Sequence, residues 1–308
     1  MDGTNQTTQK PKKMRNVNNT AYWMILPFVV VFLVFSVYPV LRTLQLSFTD
    51  YRGYGELNFT GITNYLRVFK DKYFWQALLH TINIWVPNIV LQLSLAFLLT
   101  IVFSDMKYKI KGLPFFRAVY YLPNIIAATS IAFLFKTLLD WRFGTINQIL
   151  QKVGVTNPID WMGTPTITPY VISVISAWMW FGNSFIMLMA GVQGIPTDYY
   201  EAAAIDGAGR WKRFFKITLP LLKPILLYVS ITSFIGGLQM FDLPFLMCNG
   251  VKGDPYGSTQ TMVMYMYKFG FDTRPKQVGY ASAIAYVLFL LILIVSLIQF
   301  KVMNKKED

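Results

Sequence analysis

Charge is scarce in this chain of 308 residues: only 14% are Asp, Glu, Lys or Arg, against about 25% in an ordinary soluble domain. That deficit stands beside 54% hydrophobic residues. Together they exclude ordinary globular packing and make lipid the main solvent. Cysteine and histidine are nearly missing, with one of each, Cys248 and His80. A single cysteine excludes an intrachain disulfide, and the pair excludes a Cys/His cluster of metal-ligand spacing. The chain has no GxxxxGK[ST], so it is not expected to hydrolyse ATP alone, and no cofactor is expected. It also has no HExxH and no GxSxG. Without a nucleophile–base pair or an activating metal, a hydrolase is excluded. Acidic residues are outnumbered, 15 to 28, leaving a net charge of +13. Nucleic-acid binders gather such charge on one soluble face. Here Lys and Arg fall between long apolar runs, so the excess reads as membrane topology and not as nucleic-acid binding.

What is present is a series of apolar runs. About 20 apolar residues cover the hydrocarbon core of a membrane as a helix. Six segments qualify: 22–41, 77–103, 115–135, 167–193, 224–248 and 278–302. Backbone groups in lipid must satisfy one another locally, so these are helices and the fold class is all-α and polytopic. The third run is interrupted by Pro123-Asn124. Residues 1–21 form a polar, basic tail and 303–308 a short second tail. The run after the first tail is too long for a signal-peptide core and lacks a small-residue cleavage site, so it is expected to remain as a first span. Six spans put both termini on one side. The two tails and the second-to-third and fourth-to-fifth connections hold 16 of the 28 basic residues, which predicts a cytoplasmic location for all four. The stretch 58–75 mixes aromatics with charge. It reads as a headgroup-level belt, with docking of an external partner as the alternative.

The connection 198–220 has a local logic. Pro196 is expected to end the preceding helix, Asp198 to cap a new one and Glu201 to reach back in a capping box. Ala202, Ala203 and Ala204 favour helix and allow close approach of another surface. Asp206 follows, and Gly207 and Gly209 bend or end the helix. From Arg210 an amphipathic helix should resume, with Trp211, Phe214 and Phe215 beside Arg210, Lys212, Arg213 and Lys216 at the membrane surface.

The spacing Glu201-Ala202-Ala203, Gly207, Ile217, Leu219-Pro220 resembles the EAA loop of ABC importer permeases, with every named position present. The opening through Pro27-Phe28, Tyr38-Pro39 and Ser47–Tyr51 is similar to the carbohydrate-uptake, MalF-like branch. So are Gly61–Tyr65, Phe115-Phe116-Arg117, Leu122-Pro123 and Gly279–Ile284. The resemblance covers nearly the whole chain. It implies a type I importer permease that is not itself an enzyme. Its implied place is a bacterial cell membrane, beside a second, MalG-like permease, a dimer of ATPase subunits that bind the ATP, and an external sugar-binding protein. Glu201, Ala202, Ala203, Asp206, Gly207, Leu219 and Pro220 would then couple to the ATPase. The solute would be a sugar or oligosaccharide. A permease for glycerol phosphate or peptide is an alternative, as is a stand-alone secondary transporter. The last usually carries intramembrane charges, which the six runs almost lack.

A solute pathway is expected near mid-membrane, where helices are interrupted. The fourth run centres near Trp180 and the fifth near Gly236-Gly237. Ser176, Trp180, Asn183, Ser233, Gly237 and Gln239 are the candidates. Helix packing through small and polar residues accounts for the same positions equally well. Trp178 is a further flat face for sugar C–H surfaces, and Asp242 could line the path, cap a loop or pair with an Arg.

Overall fold

The computed structural model describes residues 17–103 and 112–303. Most of the expected first tail, the basic residues Lys107, Lys109 and Lys111, and the segment after Met303 lie outside the described residues. Among those described, the chain is helical with no strand, apart from one isolated bridge between Thr49 and Phe59.

The first rod, α1, starts inside the expected tail. It runs through Val17–Phe32, a π turn at Leu33–Val37 and Tyr38–Ser47. The π turn has a local cause. Pro39 cannot donate to the helical ladder, and the Tyr38 N–H reaches back to the Leu33 carbonyl instead. The same device recurs at Phe214–Thr218, where the Leu219 N–H bonds the Phe214 carbonyl just before Pro220. Next come α2 (Thr63–Lys70) and α3 (Lys72–Phe103). At 32 residues, α3 is about 48 Å long. After α4 (Leu113–Ile125) and α5 (Ala128–Leu138) come α6 (Thr145–Lys152) and α7 (Thr168–Gln193).

Among the described residues, five helices are long and apolar enough to cross a membrane: Ala21–Ser47, Lys72–Phe103, Thr168–Gln193, Lys223–Met247 and Val278–Val302. The expected third span is different. Its place is taken by α4 and α5, bent by 88° to one another. Ile126 and Ala127 are extended at the corner. Pro123, two residues before the end of α4, removes a donor from its last turn and weakens the continuation.

The most extensive helix pairing joins α3 to α7. Lipid supplies no hydrophobic drive between helices, so close packing and interhelical hydrogen bonds must hold the pair. Both are present. The Ser173 hydroxyl donates to the Ile84 carbonyl at 2.7 Å, and Gln92 Nε2 donates to Ser184 Oγ at 2.7 Å. On the other flank of α7, Gly182 lies against α4 so closely that an added Cβ would sit 1.9 Å from the Tyr120 carbonyl oxygen. The final helix, α13 (Val278–Met303), packs on the Tyr38–Ser47 part of α1. There Gly279 meets the Thr49 carbonyl, 2.0 Å from an added Cβ. The most apolar stretch of α1 has no buried residue at all.

At one end of the bundle a polar knot fastens four elements. Asp71, between α2 and α3, accepts the Tyr265 and Tyr280 hydroxyls, the latter at 2.6 Å, and the Tyr73 N–H at 2.9 Å. The Arg67 guanidinium lies 3.8 Å over the Tyr280 ring and donates to Gln277 Oε1 at 2.7 Å. Burial alone would raise the Asp71 carboxyl, but the two phenols and the Tyr73 and Phe74 N–H groups together hold it below its usual value. A carboxyl depressed in the folded state adds stability that is fully present above the unfolded value of about 3.9 and is lost as pH falls through the lower folded value. The difference in thermal midpoint between wild type and Asp71→Asn in detergent is therefore expected to be largest at neutral pH and to shrink below about pH 4. A difference that does not change with pH contradicts the knot.

Candidate functional site

Apart from the knot at Asp71, two regions gather polar groups: an open cavity and the connection that follows α7. That connection begins with α8 (Thr197–Ile205). Next is α9, made of Arg210–Arg213, the π turn Phe214–Thr218 and Leu219–Leu221. It leads into α10 (Lys223–Leu238). After α10 come α11 (Asp242–Met247) and α12 (Met262–Tyr267) with its own π turn at Lys268–Asp272.

The cavity, of about 450 Å³, lies among α3, α7 and α10, where α10 breaks at residues 239–241 before α11. All six pathway candidates line it: Ser176, Trp180 and Asn183 from α7, Ser233 and Gly237 from α10, and Gln239 at the break. Trp180 keeps 48% of its surface exposed. Trp178 does not line the cavity. Its ring packs on Phe135, with centroids 5.6 Å apart, and belongs to the core. The adjacent glycines divide their roles. Beside Gly236 an added Cβ would meet open space, whereas at Gly237 it would fall 1.8 Å from Trp85 Cδ1. Trp85 in turn donates its indole N–H to the Ser233 carbonyl at 3.0 Å, so Gly237 is bare because an indole lies flat on it.

Other lining groups stood outside the six candidates. Asn88 and Gln92 line the cavity from α3, Ser184 from α7 and Asp242 from the start of α11. Gln92 and Ser184 are joined to one another, but Asn88 is only 5% exposed and its Oδ1 has no hydrogen-bond partner. A buried carboxamide oxygen left without a partner is costly. Its signal in the sequence is an amide in an apolar run one residue after Pro87. Asp242 lines the cavity from the first turn of α11.

The connection differs in detail from its expected form. The helix α8 starts at Thr197 with Pro196 at the N-cap, and no side chain caps it. Asp198 lies in its first turn, where a negative charge complements the helix dipole. The preceding helix ends earlier, at Gln193, with Gly194 at its C-cap. The C-terminus of α8 closes as a Schellman motif: the Gly207 N–H bonds the Ala204 carbonyl at 3.1 Å and the Ala208 N–H bonds the Ala203 carbonyl at 2.9 Å. Gly207 takes the left-handed conformation that this closure needs, at φ +70°. Glu201, Ala202, Asp206 and Gly207 are exposed, Ala203 is half-buried, and Leu219 and Pro220 lie on α9. Ile205, the last residue of α8, is an apolar tip that is 88% exposed. The two limbs are tied by Tyr200 and Thr218, whose hydroxyls are 2.9 Å apart and buried. Trp211 and Phe215 are exposed and stacked, with centroids 6.2 Å apart. Phe214, expected beside them at the surface, turns inward against Phe97 because the π turn rotates it.

Residues 15–306 match the family described as binding-protein-dependent transport system inner membrane component. Over 98% of this chain and 99% of the relative, the sequence is 33% identical to the lactose transport system permease protein LacF of Rhizobium radiobacter. The trehalose/maltose transport system permease protein MalF of Thermococcus litoralis is 32% identical, over 93% of this chain and 94% of its own. The arabinooligosaccharides transport system permease protein AraP of Bacillus subtilis is 31% identical, over 91% and 87%. The fold matches the crystal structure of a bacterial ABC transporter involved in the import of the acidic polysaccharide alginate. That match has a TM-score of 0.81 and 21% identity, and it covers 94% of this chain and 97% of that one.

Asn88 separates a packing role from a pathway role. Asn88→Leu removes an unpartnered buried polar group at similar volume, so the thermal midpoint of the purified protein is expected to hold or rise. Solute uptake by the assembled transporter is expected to fall by about tenfold, the loss of roughly one hydrogen bond of ~1.4 kcal/mol. Unchanged uptake would make Asn88 a packing residue.

Proposed function

The chain belongs to the family of binding-protein-dependent transport system inner membrane components, and from that membership we propose that it is the MalF-like permease of a sugar or oligosaccharide importer, forming half of the pathway. It is a multi-pass membrane protein and a transport permease, as its relatives are named, and the chemistry of ATP belongs to a separate subunit. The proposed assembly contains a second permease, two ATPase subunits and an external sugar-binding protein. The proposed setting is the membrane of a bacterial cell, with both termini and the connection 194–222 on the cytoplasmic side. The names of relatives aligned along nearly the whole chain support a saccharide as solute. So does a cavity of neutral hydrogen-bonding groups beside an indole face.

One observation carries the coupling: the exposed helix Thr197–Ile205, closed by a left-handed glycine and fixed to the bundle through Tyr200 and Thr218. Its alanines let a partner approach the backbone, its apolar tip Ile205 projects from the bundle, and Glu201 offers a charge for a basic residue on the partner. The Tyr200–Thr218 tie hands any displacement of α8 to α9 and so to α10, which walls the cavity. ATP binding that favours one ATPase arrangement would thereby bias the access of the cavity between the two sides. The resting cavity binds solute through Ser176, Asn183 and Gln239, with Trp180 as a face.

Two glycines in the connection give the test. Val at position 207 must adopt a positive φ, at about 1–3 kcal/mol of strain. Gly207→Val is expected to leave the chain in the membrane but cut ATP-driven saccharide uptake at least about tenfold. Gly209 has φ −68° and open space around it, so Gly209→Val should transport almost normally. Equal uptake by the two variants contradicts coupling through the closed helix.

A further inference from the structure

The charge of the cavity is one-sided. Of the residues that line it, Asp242 alone is charged, and none is Lys, Arg or His. The other polar lining groups are neutral hydroxyls and carboxamides such as Ser176, Asn183 and Gln239. Lys136, on the adjacent α5, is not among the lining residues. Its Nζ donates to the Leu246 carbonyl at 3.4 Å, one helical turn after Asp242 on α11. A carboxylate carried by a solute would lose water here with no cation to replace it. It would also meet the like charge of Asp242, which stands exposed on the open cavity wall. Neutral hydroxyls meet the opposite situation. They donate to the Asp242 carboxylate in charge-assisted bonds, and they exchange donors and acceptors with the amides. The faces of Trp180, Tyr228 and Phe241, all on the cavity wall, remain for the C–H surface of a ring.

We propose that this half of the pathway selects uncharged saccharides over those bearing a carboxylate, with Asp242 as the selecting group. The proposal rests on the saccharide reading of the cavity and adds its charge preference. The fold does not set that preference, since the solved transporter of this fold imports an acidic polysaccharide.

The test uses the assembled complex purified from its own membrane, without the external binding protein, so that selection by that protein does not intervene. Binding of maltotriose and raffinose is compared by saturation-transfer NMR with that of counterparts in which one sugar is a uronate. Wild type is expected to bind the neutral forms at least about tenfold more tightly. Asp242→Asn should narrow the gap by improving uronate binding, Asp242→Glu should keep it, and Asp242→Lys should reverse it. Uronates bound as well as neutral sugars by wild type overturn the proposal, as does a gap untouched in Asp242→Asn. Binding of neither class, with uptake of some other solute, overturns the saccharide reading itself. That outcome is distinct from both classes binding alike, which removes only the charge selection.

Discussion

Helices in this chain are held by the close approach of backbones at glycine, reinforced by hydrogen bonds that cross from one helix to another. Gly182 against the Tyr120 carbonyl, Gly237 under the Trp85 ring and Gly279 against Thr49 fix where α4, α10 and α13 lie. Ser173 to Ile84 and Gln92 to Ser184 lock α3 to α7. Lipid tails are as apolar as the side chains that face them, so burial of hydrophobic surface cannot set these positions as it would in water. With helices seated this way, the breaks at residues 126–127 and 239–241 open toward one space. Ala128, Gln239 and Asp242 from those breaks all line the cavity. The cavity is thus a consequence of where the rigid contacts stop.

In the proposed coupling force enters at a different place, and the same economy of side chain operates there. The helix Thr197–Ile205 has little covering its backbone and is closed by a residue that tolerates positive φ. Its one buried side chain, Tyr200, bonds to Thr218. The π turn that contains Thr218 also accommodates Pro220 and turns Phe214 onto Phe97 of α3. A short stretch therefore touches α8, α3 and the start of α10 together. Displacement of one limb without the other would break a buried hydroxyl pair.

The long apolar rods were legible because span length is a property of consecutive residues. The short helix after α7 was legible because its signals are local, and Gly207 takes the left-handed conformation expected of a helix-ending glycine. The six pathway candidates came together because mid-helix polar groups in an apolar run have few places to face. What escaped was set by contacts distant in sequence. Asp71 meets Tyr265 and Tyr280 across about 200 residues, and no local pattern links them. Pro123 announced an interruption but not a turn of 88°, which depends on Ile126 and Ala127 becoming extended. Asp198 had the chemistry of a cap, yet the N-cap falls at Pro196, two residues before it. Trp178 and Trp180 are two residues apart, and packing against Phe135 alone decided which faces the cavity.

The proposed coupling places a separate motor on the exposed helix after α7. Position 205 at its tip, 88% exposed in the isolated chain, reports on that contact most directly. With a photoreactive benzophenone amino acid placed there, illumination of native membranes is expected to join the chain to an ATP-binding subunit, and ATP is expected to change the yield. Adducts with a protein on the external face, or none with any ATPase in membranes that still import solute, would contradict the coupling.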